Sequence, residues 1–237
     1  MYKGLRITVI IPCLNEEQGI EQVLRRMPDF VDERIVVDNN STDRTAEIAR
    51  SEGAKVVFES VNQIGRARNT GAAAASGEWL LFIDADSQPS RELLADVVGL
   101  TRRRDVLLAG ATVALDDGSL AAKAVCGVWN TVSRVRRLVA GSFILVRTAA
   151  FREVGGFDLK FFVGEELDLA LRLQKRVGRR ENQRTVILHR HPLRTSARKL
   201  KLYSKGEMGR FFVKSIFRPM KTASSRDECS MWYDGRR

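Results

Sequence analysis

The chain has 237 residues, of which 44% are hydrophobic and 29% are charged. This composition predicts a folded domain with a sizeable core and excludes an intrinsically disordered chain. The 40 basic and 29 acidic residues give a formal net charge of +11, which taken alone suggests a nucleic-acid or anionic-membrane partner. Residues 1–170, however, carry 21 basic and 24 acidic side chains, whereas residues 171–237 carry 19 and 5. The excess charge therefore belongs to the C-terminal region, and the preceding part has the composition of an ordinary globular enzyme.

The cysteines and the N-terminus indicate the compartment. Cys13, Cys126 and Cys229 are too few for a disulfide framework and lack the paired spacing of a zinc site, which favours a reducing compartment. A strand-like segment at 7–11 stands where a signal peptide would have its apolar region, and no apolar run reaches the roughly 18 residues of a spanning helix. The sequence predicts a cytoplasmic protein whose membrane contact, if any, is peripheral and at the inner face.

The first half of the chain alternates short β-branched runs with helical patterns, which is typical of βαβ units. The predicted strands are 7–11, 34–38, 55–58, 79–83, 106–115, 143–147 and 185–188. The predicted helices are 16–27, 42–51, 65–76 and 164 to about 177. Ser41 is expected to cap the second helix. This order predicts an α/β fold with a mostly parallel central sheet flanked by helices, in one domain over 1–192 followed by a basic C-terminal extension over 193–237.

Polar residues follow three of the predicted strands at the point where each strand ends. They are Asn15 and Glu16, Asp38 and Asn39, and Asp84 and Asp86. Ligands of open α/β sheets bind beyond the carboxyl ends of the strands, so a ligand site is predicted at this edge.

Asp84 and Asp86 are two carboxylates at the junction of an apolar strand and a loop. They can turn toward one divalent cation, Mg²⁺ or Mn²⁺, and leave coordination positions for phosphate oxygens. The alternative is a polar turn with a helix cap at Ser87 or Ser90. A second acidic strand end, at Asp38, favours the metal site.

Two further segments carry groups that suit a nucleotide. The amide of Asn39 can pair with the edge of a base, and Asp38 can accept from a ribose hydroxyl or hold the loop in place. Gly65 and Arg68 lie near a helix start, where backbone N–H groups, the helix dipole and a guanidinium favour a diphosphate.

Six short motifs occur in an order and spacing known from one family. They are IPCLNEE (11–17), VVDNNSTD (36–43), ARNTG (67–71), GEWLLFIDAD (77–86), VGGFD (154–158) and GEELDLALRL (164–173). Over about residues 6–177 the chain resembles family 2 glycosyltransferases of the GT-A fold. The resemblance implies an inverting enzyme that moves a sugar from a nucleoside-diphosphate sugar, usually UDP-linked and sometimes GDP-linked, with a divalent metal. The acceptor hydroxyl would belong to a glycan, a lipid or a small metabolite.

The resemblance also implies roles for particular residues. The nucleotide-sugar half would be about 1–90, with Pro12, Leu14 and Glu16 lining the nucleoside pocket and Asp84, Ala85 and Asp86 forming the metal and diphosphate motif. In the acceptor half, about 91–192, Glu166 matches the catalytic base. Many relatives carry Glu-Asp where this chain has Glu165 and Glu166, so Glu165 stays open as an alternative base.

The resemblance leaves open the residue that contacts the base and the histidine that binds the metal. Asn39 stands where many members have an acid that contacts the base, which puts the nucleotide preference in doubt. Either His189 or His191 is expected to supply a further metal ligand, since several relatives take a histidine from this region. The alternative for both is a hydrogen-bonded histidine at a strand end.

The basic extension allows several interpretations. Residues 206–219 predict an amphipathic basic helix that either lies on an anionic membrane or packs on the catalytic domain. Arg194, Arg198 and Lys199 are candidates to assist the donor diphosphate. The oligomeric state is left open.

Three rival functions are weighed against the transferase. Nucleic-acid readout motifs are absent from the first 170 residues, so no nucleic-acid partner is expected. A nucleotidyltransferase would carry a Gly-rich basic loop where this chain has 13–17. An inactive homologue that only binds nucleotide sugars is disfavoured by Asp84, Asp86 and Glu166.

Overall fold

The computed structural model of the protein describes residues 6–116, 119–196 and 223–229. Within this part of the chain the strands are β1 (Ile7–Cys13), β2 (Glu33–Asp38), β3 (Lys55–Phe58), β4 (Trp79–Ile83), β5 (Ser87–Gln88), β6 (Val106–Leu115), β7 (Phe143–Arg147) and β8 (Arg184–Thr195). They form one eight-stranded sheet in the order β3-β2-β1-β4-β7-β6-β8-β5. Only β7 and β5 among these strands run against the common direction. The predicted α/β fold with a mostly parallel sheet is confirmed.

Helices cover both faces of this sheet. They are α1 (Ile20–Arg25), α2 (Thr45–Ser51), α3 (Ile64–Ala74), α4 (Arg91–Thr101), α5 (Leu120–Arg136), α6 (Thr148–Glu153) and α7 (Glu165–Leu173), the last of which continues as a π-helical turn over Gln174–Gly178. No helix in the described part of the chain combines the length and the apolar character that crossing a bilayer requires. Residues 206–219, Arg198 and Lys199 lie outside the described residues.

Four of the predicted strands agree with the structure in both bounds. The strands predicted at 55–58, 79–83, 106–115 and 143–147 have the observed bounds. The last strand is longer than predicted, because β8 pairs with β6 and then with β5 as far as Thr195. It therefore runs through the domain boundary expected at residue 192.

The first two helices begin later than predicted, because tertiary hydrogen bonds hold the residues before them. The Glu16 N–H donates to Thr45 Oγ1 at 2.8 Å, and the Asn15 N–H donates to Ser41 Oγ at 3.0 Å. The expected cap at Ser41 is therefore wrong, since its hydroxyl serves the loop after β1. The Thr45 N–H instead donates to Asp43 Oδ1 at 2.9 Å, and α2 starts there.

Two apolar layers, one on each face of the sheet, make up the core. Ile11 and Ile83 belong to the layer under α1 and α4, whereas Ile10 and Phe82 belong to the layer under α3 and α7. Successive residues of a strand point to opposite faces. Asp84 comes two residues after Phe82 and therefore lies on the same face of the sheet, which is the face that α3 covers.

Helix α3 packs closely on the sheet through Gly71. A Cβ atom at this position would overlap Cγ2 of Ile10 and lie 2.8 Å from Cγ2 of Val37. The glycine lets the helix carrying Arg68 approach β1 and β2.

We expect Gly71→Ala to lower the free energy of unfolding by about 1–3 kcal/mol through overpacking, despite the higher helix propensity of alanine. Urea unfolding measures the change. Gly99→Ala is the matched control, because Gly99 lies in α4 with nothing within 4 Å of its Cβ position. That variant is expected to be more stable than the wild type by about 0.5–1 kcal/mol. A Gly71→Ala protein that matched Gly99→Ala would contradict the close approach of α3.

Candidate functional site

The side chain of Arg68 joins four segments at the carboxyl end of β4. It extends from α3 and is 1% exposed. Its Nη1 donates to Glu165 Oε1 at 2.7 Å, and its Nη2 donates to Asp84 Oδ1 at 2.9 Å and to the carbonyl oxygen of Gly141 at 2.8 Å. One guanidinium thus connects α3, the end of β4, the start of α7 and the loop that precedes β7.

The surrounding charges keep this buried arginine ionised. Burial disfavours the charged guanidinium, but Asp84 and Glu165 outweigh that effect, and the pKa of Arg68 lies above its ordinary value. Its planar fork of donors suits two acceptors at once. Arg68 is therefore a permanent positive charge between two acidic segments.

Glu165 and Glu166 lie in the first turn of α7 but have different surroundings. Gly164 enters the helix with φ +80°, in the left-handed region. Glu165 is 3% exposed and bonded to Arg68, whereas Glu166 is half-buried. A Cβ atom built at Gly141 would lie 3.6 Å from both Glu166 Oε1 and Arg68 Nη2, which places the Glu166 carboxyl beside this loop.

The two glutamates have unusually high proton affinity. Burial, and then the charge of Glu166, raises the pKa of Glu165 to about 8 although Arg68 lowers it. Burial also raises the pKa of Glu166, against the opposing effect of Arg68. Shifts of this kind are typical of carboxyls that exchange protons in catalysis. Glu166 is the less buried of the two.

Asp84 and Asp86 stand on the turn that follows β4. The Asp84 N–H donates to the carbonyl of Ser142 at 3.3 Å, and the Asp84 carbonyl accepts from the Ser87 N–H at 3.0 Å. Both aspartates are half-buried, and Ala85 between them is buried. Ser90 Oγ accepts from the Leu93 N–H and caps α4. The capped turn and the acidic pair therefore coexist, and the carboxylates remain partly open to solvent.

The polar residues after β1 and β2 lie beside this turn in the sheet order. Glu16 and Asp38 are buried, and Pro12 and Leu14 are half-buried. Asp38 Oδ1 accepts from the Ser41 N–H at 2.9 Å, so one of its oxygens holds the loop, as one of the two sequence interpretations expected.

Asn39 has a structural role in the loop between β3 and α3. Its Nδ2 donates to the carbonyls of Glu59 at 3.0 Å and Val61 at 2.6 Å, and its Oδ1 accepts from the Gln63 N–H at 3.1 Å. Both amide hydrogens thus bond to this loop. The contact of Asn39 with a base stays a prediction.

Gly65 likewise serves packing. Its Cβ position would lie 3.6 Å from Phe157 Cβ and 3.8 Å from Glu165 Cγ. Gln63 Nε2, just before α3, donates to the carbonyls of Leu159 and Phe161 at 2.7 and 3.0 Å. The first turn of α3 is thus covered by the segment that leads into α7, and a contact of Gly65 with a diphosphate stays a prediction. Arg68 reaches the site by its side chain.

His189 does not lie beside Asp84 in the sheet. Phe82, Ile144, Gly110 and Ile187 occupy one row across four neighbouring strands. Asp84 and His189 each follow this row by two residues, so they are separated by three strand spacings, roughly 14 Å.

Both histidines have other neighbours. His189 Nδ1 lies 3.3 Å from the carbonyl oxygen of Ile187, and His191 Nδ1 lies 3.0 Å from Asp96 Oδ2 on α4. In the described ranges no group of three or more His, Cys, Asp or Glu side chains is gathered as a metal cluster. Each histidine thus has a polar neighbour of its own, and a histidine ligand to the metal stays a prediction.

Sequence reasoning missed two contributors to the site. Gly141 supplies a backbone carbonyl to Arg68. Any residue type would offer this carbonyl, so the residue at position 141 does not indicate the contact. The segment 223–229 is the other: the Ala223 carbonyl accepts from the Phe162 N–H at 2.7 Å. Burial, and then the nearby charge of Glu165, raises the pKa of the Cys229 thiol to about 11. Part of the C-terminal extension therefore lies against the start of α7.

A groove of about 580 Å³ lies beside α5 and β8. Arg103 and Arg184 at one end both bond to Asp105. Arg134 and Arg137 line it from α5, together with His189 from β8. The groove is therefore rich in positive charge.

Comparison with known proteins identifies the relatives of this chain. The sequence model described as glycosyl transferase family 2 matches residues 8–149. An uncharacterized glycosyltransferase of Mycobacterium bovis is 45% identical over 83 residues, which are 35% of this chain and 38% of that protein. The pre-mycofactocin glycosyltransferase of Mycobacterium tuberculosis is 27% identical over 209 residues, covering 81% of this chain and 44% of the relative. The chain thus spans less than half the length of these curated relatives.

Solved structures share the fold. Glucosyl-3-phosphoglycerate synthase of Mycobacterium tuberculosis, crystallised with Mn²⁺, UDP and glucosyl-3-phosphoglycerate, superposes with a TM-score of 0.65 at 24% identity, covering 92% of this chain and 81% of that one. A mannosyltransferase of Pyrobaculum calidifontis, in complex with GDP-Man and Mn²⁺, gives 0.68 at 20% identity, with 91% and 65% covered. These likenesses confirm the predicted GT-A fold.

We expect Arg68→Gln to lower the free energy of unfolding by about 3–5 kcal/mol at about pH 9.5, where both Asp84 and Glu165 are ionised and lose their buried counter-ion. The deficit relative to the wild type should shrink when the pH falls to about 6, below the pKa of Glu165, which is about 8. Without Arg68 the folded-state pKa of Glu165 rises further, so protonation stabilises the variant as the pH falls. Urea unfolding at both pH values measures the two deficits.

Arg25→Gln is the control for this prediction. Arg25 pairs with Glu21 and Glu52 on the surface, where solvent screens ion pairs. Its deficit is expected to be much smaller and equal at both pH values. A deficit for Arg68→Gln that did not change with pH would contradict the assigned role of Glu165.

Proposed function

The chain belongs to glycosyl transferase family 2, and from this premise we propose that it is an inverting, metal-dependent glycosyltransferase. The donor is a nucleoside-diphosphate sugar, with UDP-sugars favoured and GDP-sugars as the second choice, and the acceptor is a hydroxyl group. The observation that carries the proposal is the bridge of Arg68 between Asp84 and Glu165. It puts the acidic turn after β4 and the paired glutamates of α7 in a single site.

The acidic turn has the donor chemistry of a magnesium or manganese site. Asp84 and Asp86 are partly exposed carboxylates, and Asp84 uses Oδ1 for its bond to Arg68. Mg²⁺ sites of nucleotide enzymes take one or two protein carboxylates and complete their shell with phosphate oxygens and water. Asp86, with Asp84 beside it, would hold the metal. When bound, the metal supplies positive charge that offsets the charge of the diphosphate.

Arg68 performs two tasks in this proposal. Its bond to Asp84 orients the acidic turn, and its charge adds to the positive potential felt by the leaving diphosphate. Glu165 in turn orients Arg68 through the 2.7 Å bond. Glu165 is thus a positioning residue, and it has little freedom to accept a proton from a substrate.

Glu166 is the proposed catalytic base. Its ionised carboxylate accepts the proton of the acceptor hydroxyl as that oxygen forms a bond to the anomeric carbon of the sugar. The bond from this carbon to the diphosphate oxygen breaks on the opposite face, and the diphosphate leaves with the electron pair. Attack opposite the leaving group inverts the configuration at the anomeric carbon.

The raised pKa of Glu166 sets the acid limit of the reaction. Because burial raises this pKa, acidification protonates the base before it would protonate an ordinary glutamate, whose pKa is 4.5. Activity is therefore expected to fall with decreasing pH through an apparent value above 4.5.

We expect Asp86→Ala to abolish the metal-dependent part of donor binding. Calorimetry with UDP-glucose and GDP-mannose, each with and without Mn²⁺, measures it. Asp29→Ala is the control, because Asp29 is an exposed acid just before β2, near the amino ends of the parallel strands, and should bind donor like the wild type. The proposal fails if no donor binds in a metal-dependent way, or if Asp86→Ala binds as tightly as the wild type.

We expect Glu166→Gln to lower the rate of donor hydrolysis, in which water replaces the unknown acceptor, by about 10²–10⁴-fold. Donor affinity should be unchanged, because Glu166 is assigned to proton removal alone. Sugar release from the UDP-sugar and calorimetry with the same donor separate the two effects.

Glu165→Gln provides the comparison for this experiment. We expect this variant to retain the acid limit of the pH profile, since Glu166 is still present. The Arg68 side chain loses its ion pair with Glu165. If Glu166→Gln hydrolysed the donor normally and Glu165→Gln did not, the base would be Glu165.

A further inference from the structure

Helix α5 carries an apolar stripe on its solvent side. Val125, Val128, Val132 and Val135 are spaced by three, four and three residues, so they share one side of the helix. Their exposed fractions lie between 40% and 75%, and Leu120 at the start of the helix is 87% exposed. We call these four residues the valine stripe.

The opposite side of α5 is the one that packs on the domain. Asn130 Oδ1 accepts from the Val113 N–H at 2.9 Å, and its Nδ2 donates to the Val113 carbonyl at 2.8 Å. Ser133 is fully buried, and its hydroxyl donates to the Leu138 carbonyl at 2.6 Å. The helix therefore already has its contacts with β6, and the valine stripe points away from them.

The charge of α5 is of one sign. Lys123, Arg134, Arg136 and Arg137 are its charged residues between 119 and 137, and no acidic residue occurs in that range. All four basic side chains are exposed. An apolar stripe accompanied only by positive charge is the pattern of a helix that lies in the interface of an anionic bilayer.

We propose that α5 docks this protein on an anionic membrane surface, with the valine stripe in the interfacial region and the four basic residues among the lipid headgroups. A second copy of the chain fits this face less well. Two helices in contact through these stripes would each carry four exposed cations and no acid to pair with those of the other copy. The proposal is independent of the transfer chemistry, because it concerns a surface outside the acidic site.

The docking helix is linked directly to the proposed catalytic site. The chain leaves α5 at Arg137 and reaches Gly141, whose carbonyl accepts from Arg68. Arg134 and Arg137 also line the basic groove beside β8. A membrane under α5 would therefore lie next to the loop that holds Arg68. If the proposed function is correct, an acceptor carried by a lipid would arrive from that side.

Vesicle co-sedimentation with the full chain tests the docking. We expect binding to vesicles of equal phosphatidylglycerol and phosphatidylcholine, and little binding to phosphatidylcholine alone. The double variant Val128→Glu, Val132→Glu should lower the partition coefficient at least tenfold. Glutamate has a higher helix propensity than valine, and both positions are exposed, so the variant is expected to fold. Circular dichroism and the unfolding midpoint verify this.

Leu171→Glu is the matched control, since Leu171 is also an exposed apolar residue on a helix, and it should bind vesicles like the wild type. The proposal is overturned if the wild type does not bind anionic vesicles, or if the double variant binds them equally well through another part of the chain. It is also overturned if the double variant converts a dimer to a monomer while vesicle binding is absent. Donor calorimetry on the same variants should be unchanged, so failure of docking and failure of the proposed transfer are distinguishable.

Discussion

A single buried guanidinium determines where the acidic groups of this protein lie. A cation in the interior is stable only when its hydrogen bonds and charge are both satisfied, and Arg68 obtains this from Asp84, Glu165 and the Gly141 carbonyl. Each partner comes from a different segment, so the requirement of one side chain brings the end of β4, the start of α7 and the loop before β7 together. The acidic turn and the paired glutamates are close because they share this cation.

The same constraint separates the two glutamates. Successive residues of a helix are rotated by about 100° about its axis, so Glu165 and Glu166 cannot both face Arg68 in the same way. Glu165 points inward and is bonded to the guanidinium, whereas Glu166 is half-buried beside Gly141. Burial raises the pKa of both, and Glu166 keeps the larger exposed fraction. A pair that is nearly equivalent in sequence thus acquires two roles from its position on a helix.

Features that depend on neighbouring residues in the chain could be predicted from the sequence, whereas contacts between distant segments could not. Buried runs such as Trp79–Ile83 have turn residues at their ends and were predicted with their observed bounds. Asp84 and Asp86 stand out as a candidate site because they follow such a run. Ser41 was misassigned as a helix cap, since its partner Asn15 lies elsewhere in the chain. The loop and packing contacts of Asn39 and Gly65 were not foreseen for the same reason. The separation of His189 from Asp84 was not foreseen either, because it follows from the strand order, which places β7 and β6 between them.

The net charge of a long segment does not show how charge is distributed over the surface of the protein. Residues 1–170 are nearly balanced, and this average conceals the range 119–137, which has four basic residues and no acidic one. On α5 this range gives four exposed cations with no acid among them. Valine is a poor helix former that stabilises a helix chiefly when its side chain is packed. Four exposed valines on α5 therefore lower its stability in water, and the proposed docking would cover the stripe with an apolar phase and surround it with negative charge.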